Sequence, residues 1–209
     1  MSHAPFKAPA AGTFFSSVRH AWSGLIYTVV TQRNMRMHVI SAVLVGLVGS
    51  GIPLGLAEKV TLIFCVLLVL FAEMLNSALE QLVDLAIQQF DEKARLTKDA
   101  AAGGVLVLAI GTTVIFAAVL VHNADVVLAN LIEVQRQVIY GTPLTICAGA
   151  LMHERKKPLL VDLGIFALGL GLWAVTVTWS YSLVFSAMTF GMLVVAGDTA
   201  RARRRGVGA

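Results

Sequence analysis

The sequence predicts an all-α membrane protein in which an amphipathic surface helix precedes six transmembrane helices. Of its 209 residues, 57% are hydrophobic and only 13% are charged, whereas a water-soluble domain carries about 25% charged residues. The apolar residues form runs long enough to cross a bilayer, which takes about 20 residues per helix. Basic residues cluster between these runs, as topology signals do, so the net charge of +4 does not predict nucleic-acid binding.

The N-terminal part is predicted to contain a tail and a surface helix. Residues 1–12 contain prolines, alanines and a glycine and are expected to form a flexible tail. This segment lacks the basic and then apolar pattern of a signal peptide, so no cleaved signal peptide is expected. From residue 13 to about residue 36, Phe14, Val18 and Trp22 recur at helical spacing opposite basic side chains. Such a helix is expected to lie in the membrane interface.

Six apolar segments follow, separated by short polar segments. Glu58 and Lys59 are predicted to form a tight turn, residues 91–99 a charged loop and residues 122–136 a polar stretch. Asp162, inside an apolar run, is expected to pair with the nearby Lys157. With six spans, all basic clusters fall on one side of the membrane, which predicts that both termini lie in the cytoplasm. The predicted spans are 39–57, 60–87, 100–121, 138–152, 159–178 and 181–195.

One stripe of polar residues lies within the second predicted span. Glu73, Asn76, Glu80 and Asp84 fall within an arc of roughly 80° on a helix that turns about 100° per residue. The intervening residues are mostly apolar. Ionisable groups in a membrane helix are costly and usually mark a functional site. Carboxylates and an amide oxygen are hard ligands that suit magnesium.

The following charged segment offers a complement to this stripe. Lys98 and Asp99 precede a run of small residues that would begin the third span, and a lysine beside a helix N-terminus suits phosphate. A metal site, a phosphate-binding lysine and a spare carboxylate are the parts that phosphoryl transfer requires. On these residues alone, phosphate chemistry and proton or ion transport are equally well supported, and a structural role remains open.

The same residues resemble a known family. The stripe from Glu73 to Asp84, followed by Thr97-Lys98-Asp99 and small residues, is similar to the small prokaryotic diacylglycerol kinase/undecaprenol kinase family. Segments 21–25 and 33–38 also resemble it, so the resemblance covers about residues 13–121 and leaves 122–209 as a C-terminal transmembrane extension of unassigned role. The resemblance implies a surface helix with a three-helix kinase core, a homotrimer in the bacterial inner membrane, and ATP- and Mg²⁺-dependent phosphorylation of diacylglycerol or undecaprenol.

The resemblance also implies roles for single residues. Glu73 matches the general base, which would accept the proton of the lipid hydroxyl. Asn76 and Glu80 match positions of the nucleotide and metal sites. Lys98 and Asp99 match positions that hold the nucleotide phosphates and order the site.

The chain departs from the family at one expected metal ligand. Asn34 lies in the upstream motif and Asp84 ends the acidic stripe, but Gln32 stands where the family usually has a glutamate. Gln32 keeps a carbonyl oxygen and lacks the charge, which predicts a weakened metal contact. Two alternatives follow: a non-catalytic relative with an impaired metal site, or an ion or proton carrier that uses the Glu73 stripe. The sequence does not identify the lipid.

Overall fold

The computed structural model describes residues 13–207, which form eight helices and no strand. The predicted all-α membrane fold is confirmed, because four of these helices, α3, α4, α7 and α8, are long and apolar enough to cross a membrane. The predicted tail, residues 1–12, lies outside the described residues. The helices are α1 Phe14–Thr31, α2 Arg33–Ser50, α3 Leu56–Ala86, α4 Glu92–His122, α5 Ala124–Ala129, α6 Leu131–Met152, α7 Leu159–Thr178 and α8 Leu183–Arg204.

Helices α2 and α6 occupy the positions of the first and fourth predicted spans. Both begin with polar turns, which contain Arg33 and Arg36 in α2 and Glu133 and Arg136 in α6. These turns lower the mean hydropathy of the two helices. Neither helix is therefore among the four that are apolar enough to span a membrane by composition.

Helix α2 joins the two halves of the chain. It packs against α3, which pairs with α4, and also against α6 and α8, which form a bundle with α7. A single buried cluster contains Val29 of α1, Val43 of α2, Leu144 of α6 and Leu193 of α8. The C-terminal helices therefore share a hydrophobic core with α1 and α2, and α2 is enclosed between elements from both halves.

The contact between α2 and α8 depends on a close approach at Gly49. A Cβ atom placed on Gly49 would lie 2.7–2.9 Å from three ring carbons of Phe185, whose side chain is 0% exposed. We expect Gly49→Ala to destabilise the protein by about 1–3 kcal/mol, because an overpacked core must shift its side chains or backbone. Thermal unfolding in detergent measures the effect. Gly191→Ala on α8 is the control, since its added Cβ meets no atom within 4 Å; equal changes in Tm for both variants would contradict the expectation.

The predicted amphipathic helix of residues 13–36 is wrong in its length, because the helix breaks at Gln32. Gln32 has φ −99° and ψ 121°, which is extended backbone, and its N–H donates to the Thr28 carbonyl at 2.8 Å. No proline or glycine lies near Gln32 to mark a helix end in the sequence. The break was therefore not predicted, and it places Gln32 at the junction of α1 and α2.

The predicted loop of residues 91–99 is also wrong, because most of it is helical. Asp91 caps α4: its carboxylate accepts from the N–H groups of Lys93 at 2.8 Å and Ala94 at 3.0 Å. Such capping satisfies N–H groups that lack a partner inside the helix. Lys98 and Asp99 consequently lie on α4 itself rather than before it.

Two other connections differ from the sequence prediction. Glu58 and Lys59 lie in the first turn of α3, and the actual turn is formed by residues 51–55. The stretch 122–136 contains α5 and the start of α6. In both places charged residues occupy a first helical turn, where an acidic side chain interacts favourably with the helix dipole.

Asp162 does not pair with Lys157 as predicted. The Asp162 carboxylate, 6% exposed, accepts instead from the guanidinium of Arg204 at the end of α8. Lys157 donates to the Ala150 carbonyl at the end of α6. The ion pair between Asp162 and Arg204 links α7 to α8 across 42 positions of the sequence. Lys157 instead caps the end of α6.

Candidate active site

A cavity of about 210 Å³ lies between α2, α3 and α4. Its polar lining consists of Asn34 and His38 from α2 and of Glu73 and Asn76 from α3. The wall formed by α4 is apolar and includes Val105. A few polar groups in a mostly apolar cleft are typical of a site that binds a small molecule.

Glu73 and Asn76 form the buried part of the predicted stripe. Their residues are 1% and 5% exposed, respectively. Within residues 13–207, Oε2 of Glu73 and Oδ1 of Asn76 are buried and have no hydrogen-bond partner. Because buried polar atoms are nearly always satisfied, these two oxygens indicate a site that receives a donor or a cation.

Glu80 is held by two amides. Asn76 Nδ2 donates to Glu80 Oε1 at 3.3 Å, and Gln32 Nε2 donates to Glu80 Oε2 at 3.4 Å. The junction of α1 and α2 thereby brings Gln32 to the third position of the stripe, 48 residues away in the sequence. The two predicted metal-site residues, Glu80 and Gln32, are thus brought together.

The outer part of the stripe is separated from the cavity. Asp84 pairs with Lys98 across the α3–α4 hairpin. Asp99 pairs with Arg95 at 2.7 Å on the exposed surface of α4. The structure therefore divides the predicted residues into a buried group at the cavity and a solvent-accessible group of ion pairs at the α3–α4 turn, and it does not bring Asp99 to the cavity.

His38 is a cavity residue that the sequence analysis did not select. It lies four positions after Asn34 on α2, so both side chains fall on one helical face. That face lines the cavity opposite Glu73. The spacing of Asn34 and His38 was the available signal, but it is weak, because a single pair of polar residues in a helix start commonly faces water.

Two arginines fix the junction that carries Gln32. Arg36 Nη1 donates to the Val30 carbonyl at 2.9 Å, and its Nη2 donates to Glu154 at 2.5 Å. Arg203 of α8 donates through Nη2 to the same Val30 carbonyl at 3.3 Å. The last carbonyls of a helix lack partners inside it, and here the end of α1 receives donors from both α2 and the C-terminal half. We call this arrangement the junction clamp.

The clamp also defines one end of the helix bundle. Arg203 Nη1 donates to the carbonyls of Met152 and His153, which end α6. At the opposite end, the N–H of Tyr181 donates to the Ser50 carbonyl at 2.8 Å. The start of α2, the end of α3, the α6–α7 link and the end of α8 therefore lie together, and all carry basic residues or the candidate site.

The donor set at the cavity fits a divalent cation completed by other ligands. Within residues 13–207, no three His, Cys, Asp or Glu side chains lie close enough to form a metal site by themselves. Glu73 and Glu80 nevertheless lie on one face of α3 beside the unpartnered Oδ1 of Asn76. One or two carboxylates with substrate phosphates and water are a usual magnesium environment, and the unpartnered oxygens agree with it.

Comparison with known proteins identifies a family and individual proteins to which this chain is similar. The family described as prokaryotic diacylglycerol kinase matches residues 19–120. A diacylglycerol kinase of Synechocystis sp. is 40% identical over 100 residues, covering 47% of this chain and 57% of that protein. The chain thus spans little more than half the length of that relative. No solved structure shows significant similarity.

A second relative is matched over most of its length. The undecaprenol kinase of Bacillus subtilis is 34% identical over 102 residues, which cover 49% of this chain and 83% of that protein. The matched region contains the cavity, the stripe from Glu73 to Asp84 and Lys98. The chain therefore belongs to the prokaryotic diacylglycerol kinase family.

Proposed function

We propose that this protein transfers the γ-phosphate of ATP to the hydroxyl group of a membrane lipid alcohol, diacylglycerol or undecaprenol. The observation that carries the proposal is the buried carboxylate of Glu73, whose Oε2 has no partner within residues 13–207 and which lines a cavity on the α2–α4 side of the bundle. A base in a mostly apolar cavity is suited to a lipid hydroxyl. The names of both relatives support the same reaction class.

In the proposed reaction, Glu73 acts as the general base. The lipid hydroxyl donates its proton to Glu73 Oε2 while its oxygen forms a bond to the γ-phosphorus of ATP. The bond between that phosphorus and the β–γ bridging oxygen breaks, and ADP leaves. A positioned base accelerates such a step by about 10²–10⁴-fold. Asn76 orients the site through its contact with Glu80.

The nucleotide phosphates are proposed to bind toward the α3–α4 turn. Lys98 supplies a positive charge there, and Asp84 holds it in an ion pair. Phosphate binding would exchange the Asp84 carboxylate for a phosphate oxygen, so the lysine remains paired in both states. Asp99 is proposed to act indirectly, because its pair with Arg95 orders the first turns of α4 beside Lys98.

Glu80, with Asn76, would hold the magnesium ion, and Gln32 would offer its carbonyl oxygen. When bound, the ion would neutralise charge on the phosphates and help to orient them. Gln32 now donates to Glu80, so turning its carbonyl toward the ion requires an amide rotation. The proposed consequence is a weaker metal contact rather than an inactive site.

Gln32→Glu is expected to lower the magnesium concentration that gives half-maximal activity by about tenfold. A second carboxylate opposite Glu80 adds one charge to the ligand set, and a tenfold change corresponds to about 1.4 kcal/mol. A magnesium titration of lipid phosphorylation measures the effect. In magnesium-free buffer the same variant should unfold at a lower temperature, because two facing carboxylates repel each other.

The control is Gln135→Glu, the same substitution at an exposed residue of α6. Gln135 lies near the opposite end of the bundle, in the first turns of α6. Its substitution should leave the magnesium titration unchanged. An unchanged midpoint in Gln32→Glu itself would contradict a role for residue 32 at the metal site.

The function as a whole is tested by reconstitution with labelled ATP, magnesium and separate lipid alcohols. Diacylglycerol, undecaprenol and a sphingoid alcohol form a suitable panel, because they differ in the shape of the apolar part beside the hydroxyl. Phosphorylated lipid from one of them supports the proposal and identifies the acceptor. No product from the full panel would instead favour a non-catalytic relative or an ion carrier, which ion-flux measurements in liposomes would separate.

We further propose that the candidate site lies at the cytoplasmic surface of the bacterial cytoplasmic membrane. Basic residues of the α2 start, the α4 start, the α6–α7 link and the α8 end are in the chain positions typical of cytoplasmic segments. Both termini would then be cytoplasmic. A homotrimer is proposed from the family resemblance alone. Helix α4 is the proposed contact between subunits, because Val105 is its one buried residue within the described chain.

A further inference from the structure

A second cavity lies away from the candidate active site, between α1 and the end of α8. Its volume is about 390 Å³. Trp22 and Ile26 of α1 and Val207 after α8 provide apolar lining, and Arg19 of α1 and Arg201 of α8 provide charge. Neither the proposed base nor the proposed metal ligands line it, so the reaction described above does not use it.

The charges around this cavity are unbalanced. Arg19, Arg201 and Arg205 line it, and none of them forms an ion pair within residues 13–207. The cavity has one carboxylate, Asp198, which accepts from the Trp22 indole N–H at 2.8 Å. Arg204, the neighbour of Arg205, is by contrast paired with Asp162. Three guanidinium groups against one carboxylate leave a site with net positive charge.

The lining of the cavity indicates which kind of anion it would bind. Its lining combines guanidinium groups with an aromatic ring and aliphatic side chains, so it suits a ligand with a charged head and an apolar body. Guanidinium groups bind phosphate oxygens through paired hydrogen bonds. Basic pockets between membrane helices bind phospholipid headgroups. The exposed Phe14 and Phe15 at the start of α1, 76% and 81% exposed, are further apolar groups on the same helix for contact with lipid.

We propose that the cavity between α1 and α8 binds the phosphate headgroup of an anionic phospholipid. Arg19 and Arg201 contact the phosphate, and Trp22 and Ile26 contact the glycerol and the first part of the acyl chains. Asp198 holds the Trp22 ring in place. Bound lipid would stabilise the contact between α1 and α8, in addition to the junction clamp. The proposal does not depend on lipid phosphorylation and is tested by binding alone.

The experiment measures binding of fluorescent phosphatidylglycerol to the full chain in neutral detergent micelles. The expected result is saturable binding that is at least about tenfold weaker in the double variant Arg19→Gln/Arg201→Gln, since each basic residue near a lipid surface adds measurable affinity. The matched control is Arg155→Gln/Lys156→Gln, which removes two exposed cations from the α6–α7 link. This control should bind like the unmodified chain.

Three outcomes would overturn the proposal. Equal weakening in both double variants would show attraction to overall charge rather than to this cavity. Equal affinity for phosphatidylcholine would show that the negative charge of the headgroup is not recognised. Displacement of the lipid by inorganic phosphate at equal concentration would show a site for a free anion. Trp22→Phe, which removes the bond to Asp198 and keeps all three arginines, should weaken binding by a smaller factor and serves if the double variant does not fold.

Discussion

Replacing Glu73 with glutamine is expected to reduce the rate of lipid phosphorylation by about 10²–10⁴-fold, the usual contribution of a general base. Glutamine has nearly the same shape but cannot accept the proton of the lipid hydroxyl. Because Glu73 is 1% exposed and its Oε2 has no partner within residues 13–207, no water-exposed group can easily take its place. The measurement is kcat with saturating ATP, lipid and magnesium.

The matched control is Glu58→Gln on the same helix. Glu58 lies in the first turn of α3, at the end of the helix that is distant from the cavity. Its substitution removes the same charge and should leave kcat within about twofold, as surface substitutions away from a site usually have small effects. Thermal unfolding of Glu73→Gln should show no loss of stability, because a buried charge is removed. Retained activity in Glu73→Gln would exclude Glu73 as the base.

Replacing Arg203 with methionine is expected to destabilise the protein by at least about 2 kcal/mol. Arg203 is 7% exposed, and it donates to the carbonyls of Val30, Met152 and His153. Methionine fills much of the space but removes the Arg203 donor from the Met152 and His153 carbonyls, whereas the Val30 carbonyl keeps its bond from Arg36. Each buried group left unpaired costs about 1–3 kcal/mol. Arg155→Met, at an exposed position, should change the free energy of unfolding by less than about 0.5 kcal/mol.

The same variant also tests whether the C-terminal half acts on the site. Val30 lies two positions before Gln32, so loss of a clamp contact should move Gln32 relative to Glu80 and raise the magnesium concentration that gives half-maximal activity. Arg203→Lys should restore part of the stability but less of the magnesium response, because lysine lacks the planar fork of donors. A destabilised Arg203→Met enzyme with an unchanged magnesium response would show that the contact is structural only.

The helical periodicity of the sequence predicted which polar residues share one face of a helix. The spacing of Glu73, Asn76 and Glu80 placed them on one face of α3, where the structure has them, because the helical repeat alone decides that question. The same reasoning could not tell that Glu73 is buried while Asp84 is accessible. Burial depends on which other helices cover each turn, and the sequence of α3 does not contain that information.

Contacts between distant segments were not predicted. Gln32 meets Glu80 across 48 positions and Trp22 meets Asp198 across 176, distances at which a single sequence gives no signal of pairing. Asp162 was expected to choose the nearer cation, but Arg204 reaches it because α8 packs on α7. The break at Gln32 was not predicted for a different reason, since no proline or glycine near it marks the end of a helix.

The junction clamp has a consequence for the order in which the protein is made. A chain emerging from the ribosome contains every proposed catalytic residue once α4 is complete, but the arginine that caps the end of α1 arrives only with α8. Until then, among residues 13–207, Arg36 is the only side-chain donor to the Val30 carbonyl, and its partner Glu154 is also synthesised after α4. The proposed metal-binding end of the site, at Gln32 and Glu80, would therefore be ordered last, and an incompletely synthesised chain in the membrane would hold Gln32 less firmly.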